Sequence, residues 1–141
     1  GWAKPVPVDP RYFRKPKQGM ALTALAGPVS NLLLALLLLL FSRLIYDFAP
    51  YSDLWNLVFG FLLDTAVLSI GLGVFNLVPI PPLDGSKVLA AFLPDRTYFQ
   101  LMRYERYGML LLIFLSFQGV GGGAISAAIN WVWQLFVNLI Y

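Results

Sequence analysis

Hydrophobic residues run along this chain in long unbroken blocks separated by short polar breaks, the spacing of membrane-spanning helices. No charged residue occurs from Gly19 to Ser42, and that run exceeds the ~20 apolar residues needed to cross a bilayer core. It predicts a first span over 20–46. The apolar stretch from Leu54 to Val78 predicts a return span over 54–78. From Tyr107 to Tyr141 charge is absent altogether. That stretch is too long for one ordinary span, and Gly119-Val120-Gly121-Gly122-Gly123 interrupts it, so two further helices are expected, 104–119 and 124–141. The expected fold is an all-α membrane protein, a single membrane domain over 1–141 with about four transmembrane helices. It has a proline-broken helix end, a motif turn and cytoplasmic segment over 79–103, and a short extended N-terminal segment over 1–19.

Composition agrees with this reading: 59% of residues are hydrophobic and 12% charged. The first run follows charged, proline-rich residues instead of a short n-region and a small-residue cleavage site, so it reads as a span and not a signal peptide. Nine of the ten lysines and arginines fall either before the first span or after Asp84, leaving only Arg43 near the other face. By the positive-inside rule the side rich in bases is cytoplasmic. Topology thus accounts for the net charge of +3, and a nucleic-acid partner has no separate support. Cysteine and histidine are both absent, which excludes disulfides, thiolate sites and imidazole ligands from these residues.

Three segments carry candidate chemistry. Lys4-Pro5-Val6-Pro7-Val8 is extended, because each proline fixes its φ and biases the residue before it. Pro5 and Pro7 silence one strand edge while Lys4, Val6 and Val8 keep donors on the other, which fits either a solvated polyproline arm or an edge strand receiving an extended peptide. The first span opens on Ala26-Gly27-Pro28-Val29-Ser30-Asn31, small residues suited to close helix contact. Asn31 reads as an interhelical hydrogen-bond donor, and Leu32 to Leu40 as lipid-facing. Asp64, near the middle of the second span, reads more readily as half of a structural pair, with Arg43 a candidate partner, than as catalytic.

The third segment, Asn76-Leu-Val-Pro79-Ile-Pro81-Pro82-Leu-Asp84-Gly85, breaks the apolar run and sets a carboxylate at the membrane boundary, where an ionisable group reads as functional. The prolines unwind the chain, and Asp84 or Ser86 is the candidate N-cap of a short helix that follows. A carboxylate is a good zinc ligand and an amide such as Asn76 can donate to an oxyanion. A simple Pro-Pro-Leu-Asp-Gly turn fits the same residues.

Asn76-x-x-Pro79-x-x-Pro82-x-Asp84-Gly85 resembles the signature of the site-2 protease family of intramembrane zinc metalloproteases. Gly1-Trp-Ala-Lys-Pro-Val-Pro-Val8, Ala26-Gly27-Pro28-x-x-Asn31 and Glu105-Arg106-Tyr107-Gly108 resemble further segments of its bacterial and archaeal members. The resemblance implies that Asp84 binds zinc and Asn76 helps stabilise the tetrahedral intermediate. It places Lys4, Val6 and Val8 beside the unwound substrate, and gives Gly27, Pro28, Asn31, Pro79, Pro82 and Gly85 structural roles. The implied partners are the bilayer and a transmembrane protein substrate, and the implied location is a bacterial or archaeal cell membrane. The family's H-E-x-x-H helix, source of two histidine ligands and a general base, is missing from residues 1–141. The zinc co-ligands are therefore expected outside this chain, in N-terminal helices of the same protease, and these residues alone are expected to be inactive. A non-catalytic membrane scaffold and a small transporter subunit built on a broken helix are the alternatives.

Overall fold

The computed structural model describes residues 16–141 except Pro82 and Val120. Lys4, Val6, Val8 and Pro82 therefore lie outside the described residues. Six helices follow in order: α1 (Pro16–Phe48), α2 (Asp53–Asn76), α3 (Asp84–Ala90), α4 (Asp95–Arg103), α5 (Glu105–Gln118) and α6 (Gly122–Ile140).

The all-α expectation holds, with a different count. Among the described residues three helices, α1, α2 and α6, are long and apolar enough to cross a membrane. The expected span at 104–119 is represented by α5, whose 14 residues extend only ~21 Å at the α-helical rise, against a hydrocarbon core of ~30 Å. The polar stretch expected at 79–103 holds two short helices. Gly119 and Gly121, with φ of 71° and 81°, make the break between α5 and α6 at an angle that disfavours a side chain.

Helices α1 and α2 form a hairpin whose turn is set by Ser52, which caps α2 by accepting from the Trp55 backbone N–H at 3.3 Å. Ala35 and Leu39 of α1 and Ala66 and Ile70 of α2 are fully buried, and Ile129, Val132, Trp133 and Phe136 of α6 pack against them. This corrects the reading of Leu32 to Leu40 as lipid-facing. Leu33, Leu34, Leu37 and Leu40 are exposed, whereas Leu39 is in the core, because a run of identical residues still turns one face to its neighbour every 3.6 positions.

Most large apolar side chains of the spans stay exposed, Leu22, Leu33, Leu57 and Leu68 among them. In lipid this is ordinary, since hydrocarbon is as apolar as leucine and helix association rests on close packing and hydrogen bonds. Small residues supply the close packing. A Cβ added to Gly73 would stand 3.2 Å from the Pro28 carbonyl oxygen and 3.4 Å from the Asn31 Cβ. Beside it the Ser69 hydroxyl donates to the Asn31 carbonyl at 2.6 Å. At the far end of the hairpin Ser42 and Tyr141 share a hydrogen bond of 2.7 Å, which ties the end of α6 to α1.

Candidate metal-ligand site at the broken end of the second span

Helix α2 stops at Asn76, and the chain turns through Pro79 and Pro81 before α3 begins at Asp84. Proline cannot continue the helical ladder, so the turn follows directly from the sequence. Gly85 folds the start of α3 back onto the end of α2: a Cβ there would overlap the Leu77 carbonyl and crowd that of Val78. Asn76 and Asp84, eight positions apart, are thereby held around one turn. Gly108 of α5 closes the other side, since a side chain there would overlap the Pro81 carbonyl.

Leu83, and not Asp84 or Ser86, occupies the N-cap of α3, and no side chain caps that end. The Ser86 hydroxyl donates back to the Leu83 carbonyl at 2.7 Å. The N-cap reading is thus corrected, and the correction matters chemically. A capping carboxylate spends its acceptor capacity on backbone N–H groups. The half-buried Asp84 carboxylate makes no hydrogen bond or ion pair among the described residues.

Asp84 points at α1. A Cβ on Gly27 would lie 3.2 Å from Asp84 Oδ2, so only glycine leaves the carboxylate its full room. One residue later Pro28 and Asn31 take the approach of Gly73 from α2. The Ala26-Gly27-Pro28-x-x-Asn31 segment is therefore a junction with α3 on one side and α2 on another. Asn31 works there through its main-chain carbonyl, which accepts from Ser69, instead of donating with its amide. Asn76 is half-buried at the last turn of α2.

Lys17 fixes the other end of α3. Its ammonium donates to the Leu93 carbonyl, stands 3.1 Å from Asp95 Oδ1 and lies 6.0 Å from the centre of the Tyr98 ring. Sequence reasoning counted Lys17 only among the interfacial bases, and the Pro94-Asp95 break beyond α3 was the signal that an ion-pair partner was near. Ser69 was missed as well; the Ser69-x-x-x-Gly73 spacing of two small residues was the available sign of close helix approach.

A groove of about 400 Å³ runs between the opening turns of α1 and the C-terminal end of α3, lined by Gln18, Ala21, Leu22, Leu25, Val88, Ala91 and Phe92. A larger apolar cavity of about 500 Å³ lies at the opposite end of the hairpin, among Phe41, Phe48 and Trp55, remote from any carboxylate of the turn. Chemistry and not volume locates the candidate site, because a ligand-binding or catalytic site needs placed polar groups and the larger cavity is lined almost wholly by apolar side chains.

Asp64 is exposed on α2, and Arg43 pairs instead with Asp47 one turn along its own helix, at 2.8 Å. A pair between Arg43 and Asp64 is therefore ruled out as the account of that acid.

Among the described residues no group of three or more His, Cys, Asp or Glu could hold a metal ion. Asp84 fits the role of one oxygen ligand, having no competing partner among the described residues, and the 141 residues offer neither histidine nor cysteine to join it.

An integral membrane protein of packed helices, with a carboxylate that has no partner among the described residues set on a proline-broken helix end, is the class that fold and site define. Residues 44–117 match Peptidase family M50, and the chain belongs to that family of zinc metalloproteases. Over 135 residues it is 33% identical to the Bacillus subtilis protein YwhC, covering 92% of this chain and 60% of YwhC. Over 114 residues it is 35% identical to Rip2 of Mycobacterium tuberculosis, covering 81% of this chain and 42% of Rip2. A protein of the archaeon Methanocaldococcus jannaschii is 45% identical over 67 residues, 47% of this chain and 31% of its own length. All three carry names that designate them provisionally as zinc metalloproteases. The chain spans no more than 60% of the length of these relatives. No solved structure matches it.

Proposed function

We propose that these residues form part of an intramembrane zinc metalloprotease that hydrolyses peptide bonds of transmembrane substrates, contributing one metal ligand and part of the substrate-binding surface. The observation that carries this reading is the Asp84 carboxylate, placed beside Gly27 and left without a partner among the described residues. A carboxylate kept at a membrane boundary without a compensating base is costly unless a cation completes it. The remaining ligands are assigned to parts of the full-length protease outside residues 1–141.

Zinc, when bound, supplies Lewis-acid polarisation of the scissile carbonyl and lowers the pKa of water. Asp84 holds one coordination position and Gly27 keeps the room for it. Asn76, on the same turn, is assigned to donate its amide hydrogen to the oxygen that gains charge during hydrolysis. Pro79 and Gly85 keep the turn irregular, so that Asp84 is not drawn into a continuous helix, and Pro82 is assigned the same part from the sequence. Lys4, Val6 and Val8 are assigned to hold the substrate as an extended strand, because peptide bonds inside a helix are shielded and their carbonyls already bonded. The distribution of bases places this end of the bundle at the cytoplasmic face.

The test is metal content and cleavage in the full-length protein. Asp84→Ala is expected to lower zinc affinity by more than the ~100-fold that loss of an outer hydrogen-bonding partner of a metal ligand costs, and to abolish cleavage of a reconstituted transmembrane substrate. Full zinc occupancy and unchanged turnover in Asp84→Ala would remove Asp84 from the site. Asn76→Ala is expected to retain zinc and lose turnover by ~100-fold or more.

A further inference from the structure

Helix α6 is the least covered of the three long apolar helices, with none of its residues buried. It nevertheless lies at membrane depth. Gly71 of α2 meets Ile129 at 3.7 Å, and Tyr141 beyond the last turn reaches Ser42 of α1. Contacts at both ends of the hairpin show that α6 runs alongside the spans, not flat across their ends.

Ile129, Val132, Trp133 and Phe136 turn one face of α6 to the core. On another side stand Asn130, Gln134 and Asn138, spaced four residues apart and therefore forming one slowly winding stripe. All three are exposed. None has a side-chain hydrogen-bond partner among the described residues; the side-chain bond at this end of the chain is made by Tyr141. Three primary amides facing hydrocarbon on a helix without a single charge are expensive, because lipid offers neither donors nor acceptors.

We propose that α6 pairs in the membrane with α6 of a second copy of this chain through Asn130, Gln134 and Asn138. A primary amide both donates and accepts, so the stripe is complementary to itself. A two-fold axis along the membrane normal brings each amide level with its own counterpart, the isologous arrangement of a symmetric dimer. Residues 107–141 carry no charge, so no like charges meet in such a pair, whereas a partner selected through a base or an acid would have no counterion on this stripe. Amides at single positions set pairing in membrane helices and coiled coils by this chemistry.

The chain has no cysteine of its own, which makes introduced thiols unambiguous reporters in the full-length protein in lipid bilayers. Gln134→Cys is expected to form inter-chain disulfides readily, and Leu139→Cys, on a different side of the helix, to form few. In energy-transfer measurements between labelled copies, combined Asn130→Leu, Gln134→Leu and Asn138→Leu substitution is expected to weaken association about tenfold or more while the helix still inserts. Preferential cross-linking at Leu139→Cys, or undiminished association of the triple variant, would overturn the proposal. So would ready labelling of Gln134→Cys by a water-soluble maleimide, which would assign the stripe to a water-filled path. The single-cysteine pattern decides the matter if the triple variant misfolds. None of these measurements involves zinc or cleavage, so they stand apart from the catalytic reading.

Discussion

Gly27 and Asp84 meet so closely that a single added carbon on Gly27 would stand 3.2 Å from the carboxylate oxygen Oδ2. The contact links the first span to the first turn of α3, and its glycine needs no unusual backbone angle. It is glycine for space alone. The adjacent Pro28 and Asn31 accept Gly73 from α2, so one short stretch of α1 sets the position of both sides of the broken turn.

Gly27→Ala is accordingly expected to preserve the bundle and displace the carboxylate by a few tenths of an ångström, with Gly27→Val displacing it further. Since a ~1 Å misplacement of a reacting group costs ~100-fold in rate, turnover by the full-length protein should fall in the order Gly, Ala, Val at constant helical content. Steady-state cleavage measured beside circular dichroism checks this. Equal turnover in all three proteins would show that the Gly27 contact does not position Asp84.

Glycines elsewhere separate into two kinds. Added side chains at Gly85 and Gly108 would run into the Leu77 and Pro81 backbone carbonyls, which cannot swing aside, whereas nothing lies within 4 Å of a Cβ added at Gly60. Gly85→Ala is expected to cost ~3 kcal/mol, at the upper end of overpacking penalties. Gly60→Ala, within a helix, should gain up to ~1 kcal/mol by propensity. Reversible unfolding in mixed micelles, or protease resistance where unfolding is irreversible, distinguishes the two.

Much of this was legible in the residues. The apolar runs gave α1 and α2 to within a few positions, since a bilayer demands a minimum length of uninterrupted hydrocarbon-compatible chain. The prolines and Gly85 gave the turn, because backbone restrictions act locally. What a single sequence hid was direction around the helix axis. Leu39 and Leu40 are chemically identical, yet one is core and the other exposed; only the neighbour's position decides. The same limit concealed that Asn31 works through its carbonyl. The limits of α5 lie within one position of the expected 104–119 at each end; what failed was the inference from an uncharged run to a full span, since 14 residues of helix are too short for one.

Asp64 sits near the centre of α2, a helix of 24 residues, and its side chain is exposed. An acid at that depth disfavours membrane insertion by ~2.5–3.5 kcal/mol, whereas leucine favours it by ~0.5 kcal/mol. Asp64→Leu is therefore expected to insert ~3 kcal/mol more favourably, measurable as the glycosylated fraction of a reporter passing through the translocon. An unchanged fraction would show that the Asp64 side chain does not meet lipid during insertion.

Tyr98 supplies the alkaline end of the stability profile. It is 8% exposed in α4, and burial pushes its phenol above the ordinary value of 10.0, since the low-polarity surroundings disfavour the phenolate. With the folded value above the unfolded one, the folded state holds its proton more tightly; this contribution is complete below about pH 10 and is lost as pH rises through the folded value. The docking of α4 should thus be flat from neutrality to about pH 9 and weaken beyond it. Lys17, 6.0 Å from the ring, also pairs with Asp95, and substitution separates its contribution from that of the phenol. Tyr98→Phe should remove most of the alkaline loss and leave the Lys17 contacts in place. Lys17→Met should cost only ~1 kcal/mol or less at neutral pH through that ion pair, because Asp95 is 78% exposed, and keep the alkaline loss. Thermal unfolding of the two variants at pH values on either side of about 10 measures both, and an alkaline transition surviving intact in Tyr98→Phe would show that the phenol is not its cause.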